Sequence, residues 1–152
     1  MQKLELAPCA IDELLERAQH RFAEPAANKQ IELITELEPP LPRIQADVAQ
    51  LDRVLDNLLH NAIRHTASGG RIRLHARRHA ERVIISVEDN GEGIAYGQQG
   101  RIFEPFVQVG RKKGGAGLGL ALCKEIVQLH GGRMGVFSRP GQGTQFYMAL
   151  PV

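Results

Sequence analysis

Apolar positions recur along this chain with two different periods, and the change from one to the other divides it into elements. Leu4 to Leu6 reads as a short strand. Ile11, Leu14, Leu15, Ala18 and Phe22 then follow at helical spacing, and Pro25 is expected to help end that helix. Ile31 to Leu37 alternates as a strand and is closed by Pro39-Pro40-Leu41-Pro42, with Arg43 to Ala46 as a brief second strand. Asp47 is placed to cap a second helix whose apolar stripe is Val48, Leu51, Leu55, Leu58 and Ala62, and Gly69-Gly70 ends this unit. Arg71 to His79 and Arg82 to Glu88 are separated by a short turn and predict an antiparallel hairpin. Gly119 to His130 predicts a third helix stopped by Gly131-Gly132, and Arg133 to Phe137 and Thr144 to Leu150 predict two closing strands around Pro140-Gly141.

Strands and helices in this mixed order, with several hairpins, predict an α+β fold: a two-layer sandwich in which one mixed sheet of about five strands is covered by three helices on one face. The 152 residues carry no repeat, linker or charge block, so residues 1–152 are expected to form a single domain. More than half of the 16 glycines fall between Asn90 and Gly119, where apolar periodicity is weak and a loop region is expected. Composition, at 43% hydrophobic and 24% charged, excludes collagen and low-complexity disorder. The longest apolar stretch, Gly115 to Cys123, falls far short of a membrane span, and a cytoplasmic location is expected. Cys9 and Cys123 lie far apart and outside any C-x-x-C pattern, as expected of reduced core cysteines. A net charge of +2 does not by itself imply nucleic acid. Arg71, Arg73, His75, Arg77 and His79 would line one face of their strand, but without an aromatic for base stacking this basic stripe reads as a solvated sheet face.

Three segments carry candidate chemistry. Asn57, Asn61 and His65 recur one turn apart on the second helix, with Arg64 beside them. The pattern suits a solvated polar face; it also suits neutral amide oxygens offered to Mg²⁺ with a guanidinium facing phosphate. The strand from Val83 runs straight into Asp89-Asn90-Gly91-Glu92-Gly93. Asn90-Gly91 is a common turn signal. Alternatively, an ionised Asp89 accepts from an exocyclic amine, favouring an adenine amino group over a guanine carbonyl, while Gly91 and Gly93 let the backbone approach a flat ring. Gly115, Gly117 and Gly119 lead into the third helix, where backbone N–H groups and the helix terminus can cradle phosphates. Neither the P-loop nor the Rossmann glycine spacing is present.

Taken in order, the Asn-x-x-x-Asn-Ala helix, the Asp-x-Gly-x-Gly turn, Phe103-x-x-Phe106, the Gly-x-Gly-x-Gly helix start and the final Gly141-x-Gly143-Thr144-x-Phe146 resemble the catalytic ATP-binding domain of bacterial sensor histidine kinases, within the GHKL ATPase superfamily. The resemblance runs from Leu4 to Pro151 and implies a Bergerat-type ATP-binding fold. It implies that Asn61 holds Mg²⁺ and that Asn57 and Arg64 act at the triphosphate. Asp89 would take the adenine amino group, with Gly91, Gly93, Ile94 and Thr144 near the purine and His65 flanking the nucleotide. Phe103 and Phe106 match the F box, residues 107–114 a lid from which Lys112 would meet phosphate, and Gly115, Gly117, Leu118, Gly119 and Leu120 the second glycine box.

The chain departs from the family at His65, where an aromatic usually stands, and in a short basic lid containing Arg111, Lys112 and Lys113. None of its six histidines has the acidic neighbour and following proline of the phosphoacceptor box. The resemblance therefore implies an ATP γ-phosphate transferred to a histidine-containing dimerisation domain of the same full-length, membrane-anchored sensor, with a downstream response regulator as further partner. No nucleic-acid partner is expected, and the isolated domain is expected to be monomeric. Hydrolysing members carry a glutamate at the position of Asn57, and an amide cannot serve as that base, which favours transfer over hydrolysis. A non-catalytic ATP-binding regulatory module and a GHKL ATPase are the alternatives.

Overall fold

Ile72, Leu74 and Ala76 are fully buried on one side of β4 (Arg71–His79), and Val83, Ile85 and Val87 repeat the pattern on β5 (Arg82–Asp89). This period of two sets which face of the sheet meets the helices. The structure, a computed structural model, describes residues 3–95, Gln99, Phe103 and 119–152. Its elements run β1 (Ala7–Cys9), α1 (Ile11–Asn28), β2 (Glu32–Glu38), β3 (Ile44–Ala46), α2 (Val48–His65), β4, β5, α3 (Gly119–Leu129), β6 (Arg133–Arg139) and β7 (Gly143–Pro151). The main sheet has the order β2-β4-β5-β7-β6; only β2 and β4 are parallel, so the sheet is mixed and five-stranded as expected. β1 and β3 form a separate antiparallel pair. The two-layer α+β architecture stands, with three helices among the described residues and the core between them and one face of the sheet.

Two boundaries differ from expectation. The first strand lies at Ala7–Cys9 rather than Leu4 to Leu6, because Cys9 is the residue that reaches the core while Leu6 stays 55% exposed. The first helix continues through Pro25 to Asn28. Proline there sacrifices one helical hydrogen bond near the C-terminus, whereas ending the helix would give up the packing of Ala26, which is buried beside Ile31 in the core.

The first part of the basic stripe on the outer face of β4 meets carboxylates from both neighbouring strands. Arg73 pairs with Glu36 at 3.2 Å and with Glu88 at 2.9 Å, Arg71 lies 3.7 Å from Glu32, and His75 pairs with Glu38. His75 is itself buried, so this face is only partly solvated. Cys9 and Cys123 are buried free thiols. No helix among the described residues is long and apolar enough to cross a membrane.

Candidate functional site

Helix α2 is fixed at both ends before any ligand is considered. At its start, Asp47 Oδ1 accepts from the Gln50 amide at 3.2 Å, the expected cap, and Oδ2 accepts from the Glu5 amide at 3.0 Å. The Asp47 amide donates to His130 Nε2 at 3.0 Å, tying the end of α3 to the start of α2. Leu51, Val54, Leu55, Leu58, Leu59 and Ala62 bury one side of the helix. At its far end the Lys29 ammonium donates to the carbonyls of Ile63 (2.6 Å) and Arg64 (3.4 Å), where the helix leaves acceptors without intrahelical partners.

The ridge expected on α2 is half-buried at Asn57, Asn61, Arg64 and His65 rather than fully solvated. Asn57 faces the start of α3: a Cβ built on Gly119 would lie 3.5 Å from Asn57 Oδ1. Cys123, one turn further along α3, donates to the Val54 carbonyl at 3.8 Å. Burial pushes its thiol up to about 12, against a hydrogen bond with the Asn57 side chain that acts the other way. Leu120 packs at the margin of the core beside this contact. His65 closes the ridge, its Nδ1 2.7 Å from Glu92 Oε1.

Asp89 ends β5 at the same level. Gly91 N–H donates to its Oδ1 at 2.9 Å, and Thr144 stands opposite it on β7. Burial raises the Asp89 carboxyl above its ordinary value, with the Gly91 amide, His65 and the Thr144 amide opposing and Glu92 adding to the rise. The following turn is clamped between two backbones. Glu92 N–H donates to the His65 carbonyl at 3.2 Å, and Gly141 N–H donates to the Glu92 carbonyl at 2.7 Å. A side chain at Gly91 would overlap the His65 carbonyl, and one at Gly93, where φ is +75°, would overlap that of Arg139. These glycines therefore admit neighbouring protein backbone, a tighter requirement than the flat ring proposed for them from sequence. Ile94 is buried, and its amide donates to Ser138 Oγ at 2.8 Å.

The structure thus brings Asn57, Gly119 and Leu120 together on one side, and Arg64, His65, Asp89, Gly91, Gly93, Ile94 and Thr144 around the turn, with Asn61 between them on α2. Phe103 meets Phe146 edge-on at 6.1 Å. Phe106, the lid at 107–114 with Lys112, and Gly115, Gly117 and Leu118 lie outside the described residues. A cavity of about 350 Å³ at the end of α2 is lined by Arg64, His65, Thr66, Ala67, Asn90, Gly91 and Glu92. Thr66, Glu92, Ser138 and Lys29 were not singled out from sequence, and Cys123 was read only as a reduced core cysteine. A serine in a strand or a lysine after a helix carries no local signal; only Glu92, inside the Asp-x-Gly-x-Gly turn, had a position that pointed to it.

Residues 46–152 match the family described as histidine kinase-, DNA gyrase B-, and HSP90-like ATPase. The chain belongs to this family. Over all 152 residues it is 64% identical to the alginate biosynthesis sensor protein KinB of Pseudomonas aeruginosa, of whose length it spans 26%. Full-length ShkA, solved in complex with AMPPNP, superposes with a TM-score of 0.90 at 38% identity, covering 99% of this chain and 32% of ShkA. The catalytic domain of histidine kinase ThkA superposes with a TM-score of 0.88 at 30% identity, covering 97% of this chain and 96% of that domain. ThkA has also been solved in complex with the response regulator protein TrrA. This ATPase-family domain therefore shares its fold with histidine kinase catalytic domains from end to end.

Proposed function

We propose that this chain is the ATP-binding catalytic domain of a sensor histidine kinase, transferring the γ-phosphate of ATP to a histidine on a separate dimerisation domain of the same full-length protein. The observation that carries the reading is the half-buried Asp89 carboxylate, raised by desolvation and set beside the end of the α2 ridge. An acceptor drawn partly out of water is costly unless something donates to it, and an adenine amino group is a donor of the right kind. The binding of AMPPNP by ShkA supports the same ligand class here.

In this reading Asp89, Gly91, Gly93, Ile94 and Thr144 hold the purine and His65 flanks it. Arg64, Lys112, Gly115, Gly117, Leu118, Gly119 and Leu120 meet the phosphates. The Asn61 amide oxygen is a hard neutral donor suited to Mg²⁺, and phosphate oxygens and water would complete the shell. When bound, Mg²⁺ supplies charge neutralisation on the transferring phosphoryl group. Asn57, held between Gly119 and Cys123, has no basic atom with which to deprotonate water, so the domain orients phosphate without activating a hydrolytic nucleophile. The domain is read as a monomeric cytoplasmic portion of a membrane-anchored sensor that signals to a response regulator, a partnership supported by the ThkA–TrrA complex. No nucleic-acid role is proposed for a basic stripe whose Arg71 and Arg73 already meet carboxylates and which carries no aromatic for base stacking.

The test is γ-phosphate transfer from labelled ATP to purified histidine-bearing dimerisation domains. The expected product is acid-labile phosphohistidine on the partner, with little turnover by this chain alone. Stoichiometric labelling of this chain, or hydrolysis by it alone at about 10 s⁻¹, typical of enzymes, would contradict the kinase reading and favour an ATPase.

A further inference from the structure

Three side chains stand in one row at the end of the sheet: Ser138 on β6 opposite Thr144 on β7, and Thr144 opposite Asp89 on β5. Ser138 Oγ accepts from the Ile94 amide at 2.8 Å, donates to the Gly143 carbonyl at 2.9 Å and lies 2.9 Å from Thr144 Oγ1. Gln99 Nε2 donates to the carbonyls of both Ile94 (2.9 Å) and Ser138 (3.1 Å), holding the two backbones that flank this hydroxyl.

The polarity of the row follows from counting protons. A serine hydroxyl has one proton and two lone pairs. The Gly143 carbonyl can only accept, so it takes the Ser138 proton, and the Ile94 amide fills one lone pair. In the third contact Thr144 must then donate to Ser138. The Thr144 proton is committed to Ser138, and its hydroxyl, on the residue opposite Asp89, has only lone pairs left to offer. Ionised Asp89 also only accepts, and the Gly91 amide already donates to it. This end of the sheet presents acceptors side by side.

We propose that Ser138 is a positioning residue that sets purine selectivity: with Thr144 facing the C6 substituent beside Asp89, fixing its hydroxyl as an acceptor favours a purine with an amino group at C6 over one with an oxo group there. The inference rests on the ATP-binding reading and adds to it a residue that touches no ligand. Without the Ser138 hydroxyl, the Thr144 hydroxyl is free to rotate and donate, which an oxo group can use and an amino group cannot.

The test compares affinities for Mg-ATP and Mg-ITP, which differ in the substituent at C6 and the N1 proton that accompanies it. Wild-type protein should prefer ATP. Ser138→Ala should narrow that preference by about three- to ten-fold, the worth of one ordinary hydrogen bond, and Ser138→Thr should restore it. With Thr144→Val already in place, Ser138→Ala should leave the ratio unmoved. Ser138→Cys keeps the side-chain volume but supplies only a weak donor, and should narrow the ratio even if the alanine variant folds poorly. A merely structural role for Ser138 would weaken both nucleotides alike. An unchanged ratio in Ser138→Cys, or an equal shift with and without the Thr144 hydroxyl, overturns the inference while leaving ATP binding intact. Wild-type protein that binds neither nucleotide overturns the ATP-binding reading and this inference with it.

Discussion

On the helix-covered face of the sheet, Leu74, Val87, Phe146 and Val136 form one row across β4, β5, β7 and β6; two residues along the same strands, Ile72, Asp89, Thr144 and Ser138 form the next. The backbone scaffold and register are shared, and the side chains leave the sheet in the same direction. The first row is apolar throughout and contributes to the core. In the second, only Ile72 is apolar; the Ser138 and Thr144 hydroxyls pair with each other, Ser138 accepts from the Ile94 amide, and Asp89 accepts from the Gly91 amide. The difference shows how a site is placed without disturbing the fold: the polar row occupies the last position where β5 and β7 still pair, so that the end of α2 and the glycine turn can close over it. It also shows the cost, because Asp89 carries a charge that burial disfavours.

The largest expected effect breaks the apolar row. Phe146→Ala removes a side chain that is 2% exposed and packs edge-on against Phe103, and should lower unfolding free energy by about 3–5 kcal/mol in urea titrations. A loss below about 1 kcal/mol would mean that this row does not carry the core as described. Gly93→Ala attacks the closure over the polar row, since it places a Cβ against the Arg139 carbonyl at a positive φ. It should cost about 1–3 kcal/mol and weaken nucleotide binding as well, checked by thermal unfolding and calorimetry on the same sample.

A smaller effect sharpens the comparison through pH. The Asp89 carboxyl is raised in the folded chain, chiefly by burial, so the folded state holds that proton more tightly than the unfolded chain. Its contribution therefore favours folding in acid, below the ordinary carboxylate value, and is lost as pH rises through the raised folded value. The stability of Asp89→Asn minus that of wild type should climb across that window and then level off. A flat difference would mean that the carboxylate is not desolvated.

Much of this comparison was legible in the sequence, for a physical reason. The strict alternation of Arg71 to His79 and the strand running into Asp89 are local patterns that a sheet with one covered face imposes directly. The Asn57 to His65 ridge is equally local, one face of one helix. What escaped depends on residues distant in sequence. Pro25 did not end its helix because Ala26 had a core to enter. His75 became buried because Glu38 on β2 came alongside. Ser138 gained its place from Ile94, Gly143 and Thr144, only two of which are near it in the chain. Gly91 and Gly93 were recognised as important, but their tightest neighbours are the carbonyls of His65 and Arg139, which only the fold brings there.

The central claim is that the polar row reads a purine amino group and contributes nothing that the apolar row needs. Titration of Asp89→Asn with Mg-ATP, paired with its unfolding curve at neutral pH, tests this most directly. The account predicts an affinity lowered about 5- to 150-fold, since the incoming amide offers a poorer acceptor and an unpaired donor, together with a fold at least as stable as wild type. Unchanged ATP affinity, or a loss of affinity that merely tracks a loss of stability, would contradict it.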